Sequence, residues 1–82
     1  MSSARNAELE QARRAIAGGD VVRARSILRR LVHEDAANDR AWLWLAGITE
    51  SPAASLEYAQ RAAALAPDDE IVQDALRWAE RR

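Results

Sequence analysis

The chain has 82 residues, enough for one domain, and a domain this small buries only about 60–65% of the surface its unfolded chain exposes. It contains no Cys, which excludes disulfides and thiolate metal sites, so stability must come from packing. Its 12 basic and 13 acidic side chains leave a net charge of −1, which excludes a general electrostatic attraction to nucleic acid or to an anionic membrane.

Nineteen Ala, three Gly, two Pro and no Phe point to an all-α chain, because Ala has the highest helix propensity and Leu, Arg, Glu and Gln follow it. Every basic side chain is Arg; a GC-rich genome accounts for this more simply than selection for bidentate anion contacts. The segment Met1-Ser2-Ser3-Ala4-Arg5-Asn6 carries no apolar run of the secretory kind. No apolar stretch approaches the roughly 20 residues needed to cross a bilayer. The expected location is cytoplasmic, with no membrane partner.

Four breaks predict five helices, over about 4–17, 20–34, 39–50, 52–65 and 69–81. Gly18-Gly19-Asp20 ends the first, and Asp20 can cap the second. Asp35-Ala36-Ala37-Asn38-Asp39 separates the second from the third, with Asn38 or Asp39 as the cap. Ser51-Pro52 opens the fourth, Ser at the cap and Pro at the first helical position. Ala66-Pro67-Asp68-Asp69 ends it, and Asp68 or Asp69 opens the fifth. Short connections predict antiparallel packing of successive helices.

Apolar spacing gives each helix a face. In the second, Val21, Ala24, Leu28, Leu31 and Val32 share one side, with Arg23, Arg25, Arg29 and Arg30 elsewhere. In the fifth, Ile71, Val72, Ala75, Leu76 and Ala79 form a stripe. The third, Ala41-Trp42-Leu43-Trp44-Leu45-Ala46-Gly47-Ile48, is apolar almost all round and needs cover on several sides. A strand reading of its Trp-Leu-Trp-Leu run fails because nothing else in the chain could pair with it. Trp42 shares a face with Leu45 and Thr49 and should pack on the helix 52–65. Trp44, roughly 160° round the helix from it, is placed against the neighbouring helix pair, the alternative being an exposed position in a groove. Trp78, at the edge of the last stripe, is the Trp expected to be partly exposed.

An offset of 31 residues lays the breaks on one another. Ala36-Ala37-Asn38-Asp39 falls on Pro67-Asp68-Asp69-Glu70, Ala24 and Leu28 on Ser55 and Ala59, Leu31 on Ala62, and Leu45 on Leu76. Self-similarity at a fixed period is the mark of a helical repeat array. With Trp42-x-x-Leu45-Ala46-x-x-Thr49, the closing Pro67, and Gly19-Asp20-Val21-Val22-Arg23-Ala24-Arg25, the chain resembles the tetratricopeptide repeat family over nearly its whole length. It departs from the family pattern at Ala46, which stands for Gly, at Thr49, which stands for Tyr, and at Ala36, which stands for Pro. The second unit is three residues short of the usual 34. The resemblance implies about two and a half helix-turn-helix units: pairs at 4–34 and 39–65 and a capping helix at 69–81, in a short right-handed solenoid.

Chemistry-bearing residues are sparse. His33 stands beside Glu34 and Asp35, but helix neighbours point in different directions, and a cation in the last turn suits the helix dipole. Glu8/Glu10 and Asp68/Asp69/Glu70 lack the shielded cleft that acid–base work needs. Gly18-Gly19 is too short to cradle a phosphate. Neither catalysis, a cofactor nor a metal is expected. The basic face of the second helix lacks interleaved aromatic or amide groups for base readout.

Binding is the expected role. The resemblance implies a concave surface lined by the first helix of each pair, holding a peptide or partner helix. Carried onto this chain, the lining is Leu9, Arg13 and Ile16 from the first helix, Arg40, Leu43, Gly47 and Glu50 from the third, and Asp74, Trp78 and Arg81 from the last. The expected function is a protein–protein interaction module. Self-association into a homodimer is the alternative, and nucleic-acid binding the third reading.

Overall fold

The helices begin where side chains can satisfy the backbone donors that a helix start leaves open. In the computed structural model, which describes residues 3–82, they are α1 (Ser3–Ala17), α2 (Val21–Glu34), α3 (Asp39–Ile48), α4 (Pro52–Leu65) and α5 (Glu70–Arg81). Asp20, Asn38, Ser51 and Asp69 are the N-caps of α2 to α5, each accepting from a backbone N–H two or three residues on. Met1 and Ser2 of the N-terminal segment lie outside the described residues.

Three boundaries, in α2, α3 and α5, differ from expectation for local reasons. The third helix ends at Ile48 rather than at residue 50, because Thr49 turns extended (φ −74°, ψ 142°) and Pro52 holds the preceding Ser51 extended as well. The second and fifth start one residue late, since Asp20 and Asp69 serve as caps rather than first turns. The α1–α2 connection closes on Gly19, whose φ of +81° lies in the left-handed region. Gly19 N there donates to Ile16 O, and Asp20 N reaches back to Ala15 O at 2.8 Å, a glycine C-cap.

The α2–α3 and α4–α5 turns repeat one another. Asp35 N donates to Leu31 O and Asn38 N to Asp35 O; Ala66 N donates to Ala62 O and Asp69 N to Ala66 O. Every one of these positions is displaced by 31 residues from its counterpart.

Each helix packs on its successor, and α3 also packs on α5. α3, apolar almost all round from Ala41 to Ile48, thus receives cover from α2, α4 and α5, as its composition demands. Leu28, Leu31, Leu45 and Val72 are fully buried, each leucine worth about 1.5–3 kcal/mol relative to an exposed position. Fully buried Ala12, Ala24, Ala41, Ala59 and Ala62 fill the helix seams with the least bulk. Ser55, also fully buried, donates from Oγ to Ala46 O at 2.8 Å and joins α4 to α3. Ile27 belongs to this core although the face drawn for α2 omitted it. Ile71 leaves the stripe expected for α5 and is 60% exposed, while Val72 turns inward.

The chain is all-helical among the described residues, and its radius of gyration of 11.8 Å is that of a compact chain of this length. No described helix is long and apolar enough to cross a membrane.

Candidate functional site

The residues expected to line a partner surface fall into unequal groups. On α1, Leu9 and Ile16 are half-buried against the core. Arg13 is exposed but clamped to Glu10, with Nε donating to Oε1 at 3.0 Å and Nη2 to Oε2 at 2.6 Å. These bonds hold the Glu10 carboxyl down from its ordinary 4.5 to about 2. The close packing of α1 is on α2 rather than on α3.

α3 and α5 bring their candidates together. At one end Arg40 Nη2 donates to Asp69 Oδ2 at 3.0 Å. At the other, Arg82 Nη1 donates to Thr49 O at 3.2 Å and Nη2 to Glu50 O at 3.5 Å. The starts of the two helices are therefore neighbours and so are their ends: α3 and α5 lie side by side and parallel. Along this pair Gly47 is exposed, and a Cβ added there meets nothing within 4 Å. Glu50 and Arg81 are exposed, and Asp74 is exposed and bonded to Arg77. Trp78 is 46% exposed, with the Arg82 guanidinium 4.8 Å from its ring centroid.

Leu43 requires a correction. At 9% exposure it belongs to the core cluster with Leu45 and Val72, so it is not available to a partner. On a helix covered from three sides, the position one turn before Gly47 faces inward. Ile71 takes its place among the exposed groups. It stands seven residues before Trp78, hence on the same side of α5, and this spacing was the signal that could have identified it. Trp44 is half-buried and packs against the core.

A concavity not foreseen from the sequence opens between α2 and α4. Both helices pack on α3 but not closely on each other. The gap is a cleft of about 390 Å³ with Arg29, Val32 and His33 on one wall and Tyr58 and Arg61 on the other. Trp42 and Leu45 form its floor. Trp42 is fixed there: its Nε1 donates to Ala36 O at 2.8 Å, its ring centroid lies 5.9 Å from that of Tyr58, and Arg61 sits over it at 5.0 Å. The packing of Trp42 on α4 agrees with the sequence reading; the opening beside it depends on how far α2 and α4 stand apart, which no local pattern encodes.

Titratable groups are mostly engaged in structure. Asp20 and Asp69 cap helices, and Glu8 and Asp35 pair with Arg30 and Arg5. His33 sits in the last turn of α2, exposed at the cleft wall. Among the described residues no three His, Cys, Asp or Glu side chains cluster as a metal site would need. Compared with models of protein families, with curated proteins and with solved structures, the chain matches none.

Proposed function

We propose that the protein is a non-catalytic protein–protein interaction module of tetratricopeptide-like design, with α1–α2 and α3–α4 as its two helix pairs and α5 as a lid in a short right-handed solenoid. The repetition of the α2–α3 turn at α4–α5, 31 residues on, supports this reading. The α3–α5 surface is the partner site, and the observation that carries it is the exposure of Ile71 and Trp78 beside a helix whose Gly47 leaves open space. A large aromatic held half in solvent by a stacked arginine makes a ready anchor for a partner. Arg40, Glu50, Asp74 and Arg81 supply a mixed-charge rim, suited to a peptide or helix that carries both apolar and charged side chains.

Capture of partners by the intact chain, compared with Trp78→Ala and Gly47→Gln variants, tests the assignment. Gly47→Gln fills the open space while raising helix propensity, so loss of binding in that variant cannot be attributed to unfolding. Both variants should lose their partners; retention by both would remove the α3–α5 surface from consideration. The same exposed pair favours homodimerisation as a second reading. Light scattering separates the two, since a dimer that becomes monomeric on Trp78→Ala makes the partner a second copy.

A further inference from the structure

We propose that the cleft between α2 and α4 is a separate docking site for an acidic peptide segment with apolar flanking residues. The proposal goes beyond the α3–α5 reading and uses different helices, so either can fail alone.

Charge is the first argument. Arg29, His33 and Arg61 line the cleft and no carboxylate does. Arg25 continues the cationic wall into an adjoining depression of about 320 Å³. Among the described residues neither Arg25 nor Arg29 has an ion-pair partner, as is also true of Arg23, Arg81 and Arg82 outside the cleft lining, whereas Arg5, Arg13, Arg14, Arg30, Arg40 and Arg77 do. Arg61 reaches Glu57 only at 3.5 Å, with both side chains more than half exposed, an arrangement that contributes little in water. In a chain of net charge −1, a concavity lined by Arg29 and Arg61 and by no carboxylate is a local feature that acidic side chains would complement.

Shape is the second. Arg29 is shared by the central cleft and the depression towards the start of α2; Trp42 and Arg61 are shared with a third depression, of about 200 Å³, towards the end of α4. Together they form an open trough. Val22, 73% exposed, borders one end and Leu65, 42% exposed, the other. A trough that is cationic in its middle and apolar at both ends fits an extended chain with acidic residues between apolar ones.

A nucleic acid is the other polyanion to weigh. Base stacking needs an open ring face, but Trp42 is 8% exposed and covered by Arg61. The observations favour the peptide.

The test is an ¹⁵N NMR titration of the full chain with three probes: a short peptide of glutamates flanked by leucines, the same peptide with lysine for glutamate, and oligothymidylate. The glutamate peptide should shift the amides of Arg29, His33, Tyr58 and Leu65 and the Trp42 indole N–H, and should weaken as salt rises. Arg29→Glu/Arg61→Glu should weaken it by roughly tenfold or more. Because Arg61 covers Trp42, Arg25→Glu/Arg29→Glu, confined to α2, serves as a second variant, with circular dichroism confirming the fold of both. Equal binding of the lysine peptide, binding of oligothymidylate in place of the glutamate peptide, or no shift at peptide concentrations on the order of millimolar would overturn the proposal. Shifts confined to α3 and α5 would overturn it too, while leaving the α3–α5 site standing.

Discussion

Arg40 Nη2 donates to Asp69 Oδ2 at 3.0 Å, which ties the first turn of α3 to the residue that caps α5. The other carboxylate oxygen of Asp69 accepts from Ile71 N at 2.9 Å and from Val72 N at 3.3 Å. One side chain thus both starts a helix and fixes it beside its parallel neighbour.

The two roles separate by substitution. Losing an N-cap costs about 1 kcal/mol. A partly exposed ion pair contributes about 0.2–1 kcal/mol, and here the lower end applies because the Arg40 side chain is 40% exposed. Asp69→Asn keeps a capping oxygen and loses the charge; Asp69→Ala loses both. Urea unfolding should show Asp69→Ala costing about 1–2 kcal/mol, with Asp69→Asn and Arg40→Gln each well under 1 kcal/mol. Equal losses for Asp69→Ala and Asp69→Asn would assign the stability to the ion pair instead of the cap.

Ser55 presents a different balance. Leu45 O is taken by Thr49 N, and Ala46 O, one position on, by the buried Ser55 Oγ. The α3 C-terminus therefore relies on a side chain of α4 for one of its last carbonyls. Ser55→Ala removes that donor and leaves a carbonyl without a partner in a fully buried seam, at a cost of about 1–3 kcal/mol. For a domain this size, each kcal/mol lowers Tm by roughly 4–8 °C. A Tm unchanged by Ser55→Ala would mean that water reaches Ala46 O and that the seam is not closed.

These two cases show what the sequence made legible. Asp68 or Asp69 could be identified as the cap because a carboxylate just after Pro67 has a local meaning, and the structure selects Asp69. The pairing of Arg40 with Asp69, 29 residues apart, could not, because it follows from α3 and α5 lying parallel. Ser55 aligned with Ala24 at the 31-residue offset, but its burial and its bond to Ala46 depend on the crossing of two helices. Leu43 and Ile71 were misplaced for a related reason. On a helix covered from three sides, or one at the edge of the structure, helical periodicity says which residues share a face and not which neighbour covers it. The cleft between α2 and α4 is a gap between elements and leaves no pattern along the chain.

Glu10 should carry a local pH signature. Arg13 bonds to both of its oxygens, and Arg14 Nε donates to Oε2 at 3.2 Å. Hydrogen bonding from Arg13 is the largest cause of the fall from 4.5 to about 2. A carboxyl whose folded pKa is depressed contributes stability that is present above about 4.5 and lost as pH falls towards about 2. The clamp is exposed, so the consequence is confined to α1 and is best read at the residue. A ¹³C titration of the Glu10 carboxyl should show a midpoint near 2, moving back towards the ordinary value in Arg13→Ala. A wild-type midpoint already at the ordinary value would show that the clamp does not persist in solution.

The glycines at positions 19 and 47 should respond to alanine with opposite signs. Gly19 has φ +81° and nothing within 4 Å of an added Cβ; its constraint is conformational, and forcing an L-residue into the left-handed region costs about 1–2 kcal/mol. Gly47 lies inside α3, also with nothing within 4 Å of an added Cβ. Alanine there removes backbone freedom from the unfolded chain and gains at most about 1 kcal/mol, less so near a helix end. Thermal unfolding should therefore place Gly19→Ala below the wild type and Gly47→Ala at or above it. With Gly19 in the α1–α2 turn and Gly47 inside α3, sharing no partner, the double variant should fall at the sum of the single effects. A stabilising Gly19→Ala would mean that the α1–α2 turn relaxes away from its left-handed cap, and a destabilising Gly47→Ala would mean that the space along α3 is filled.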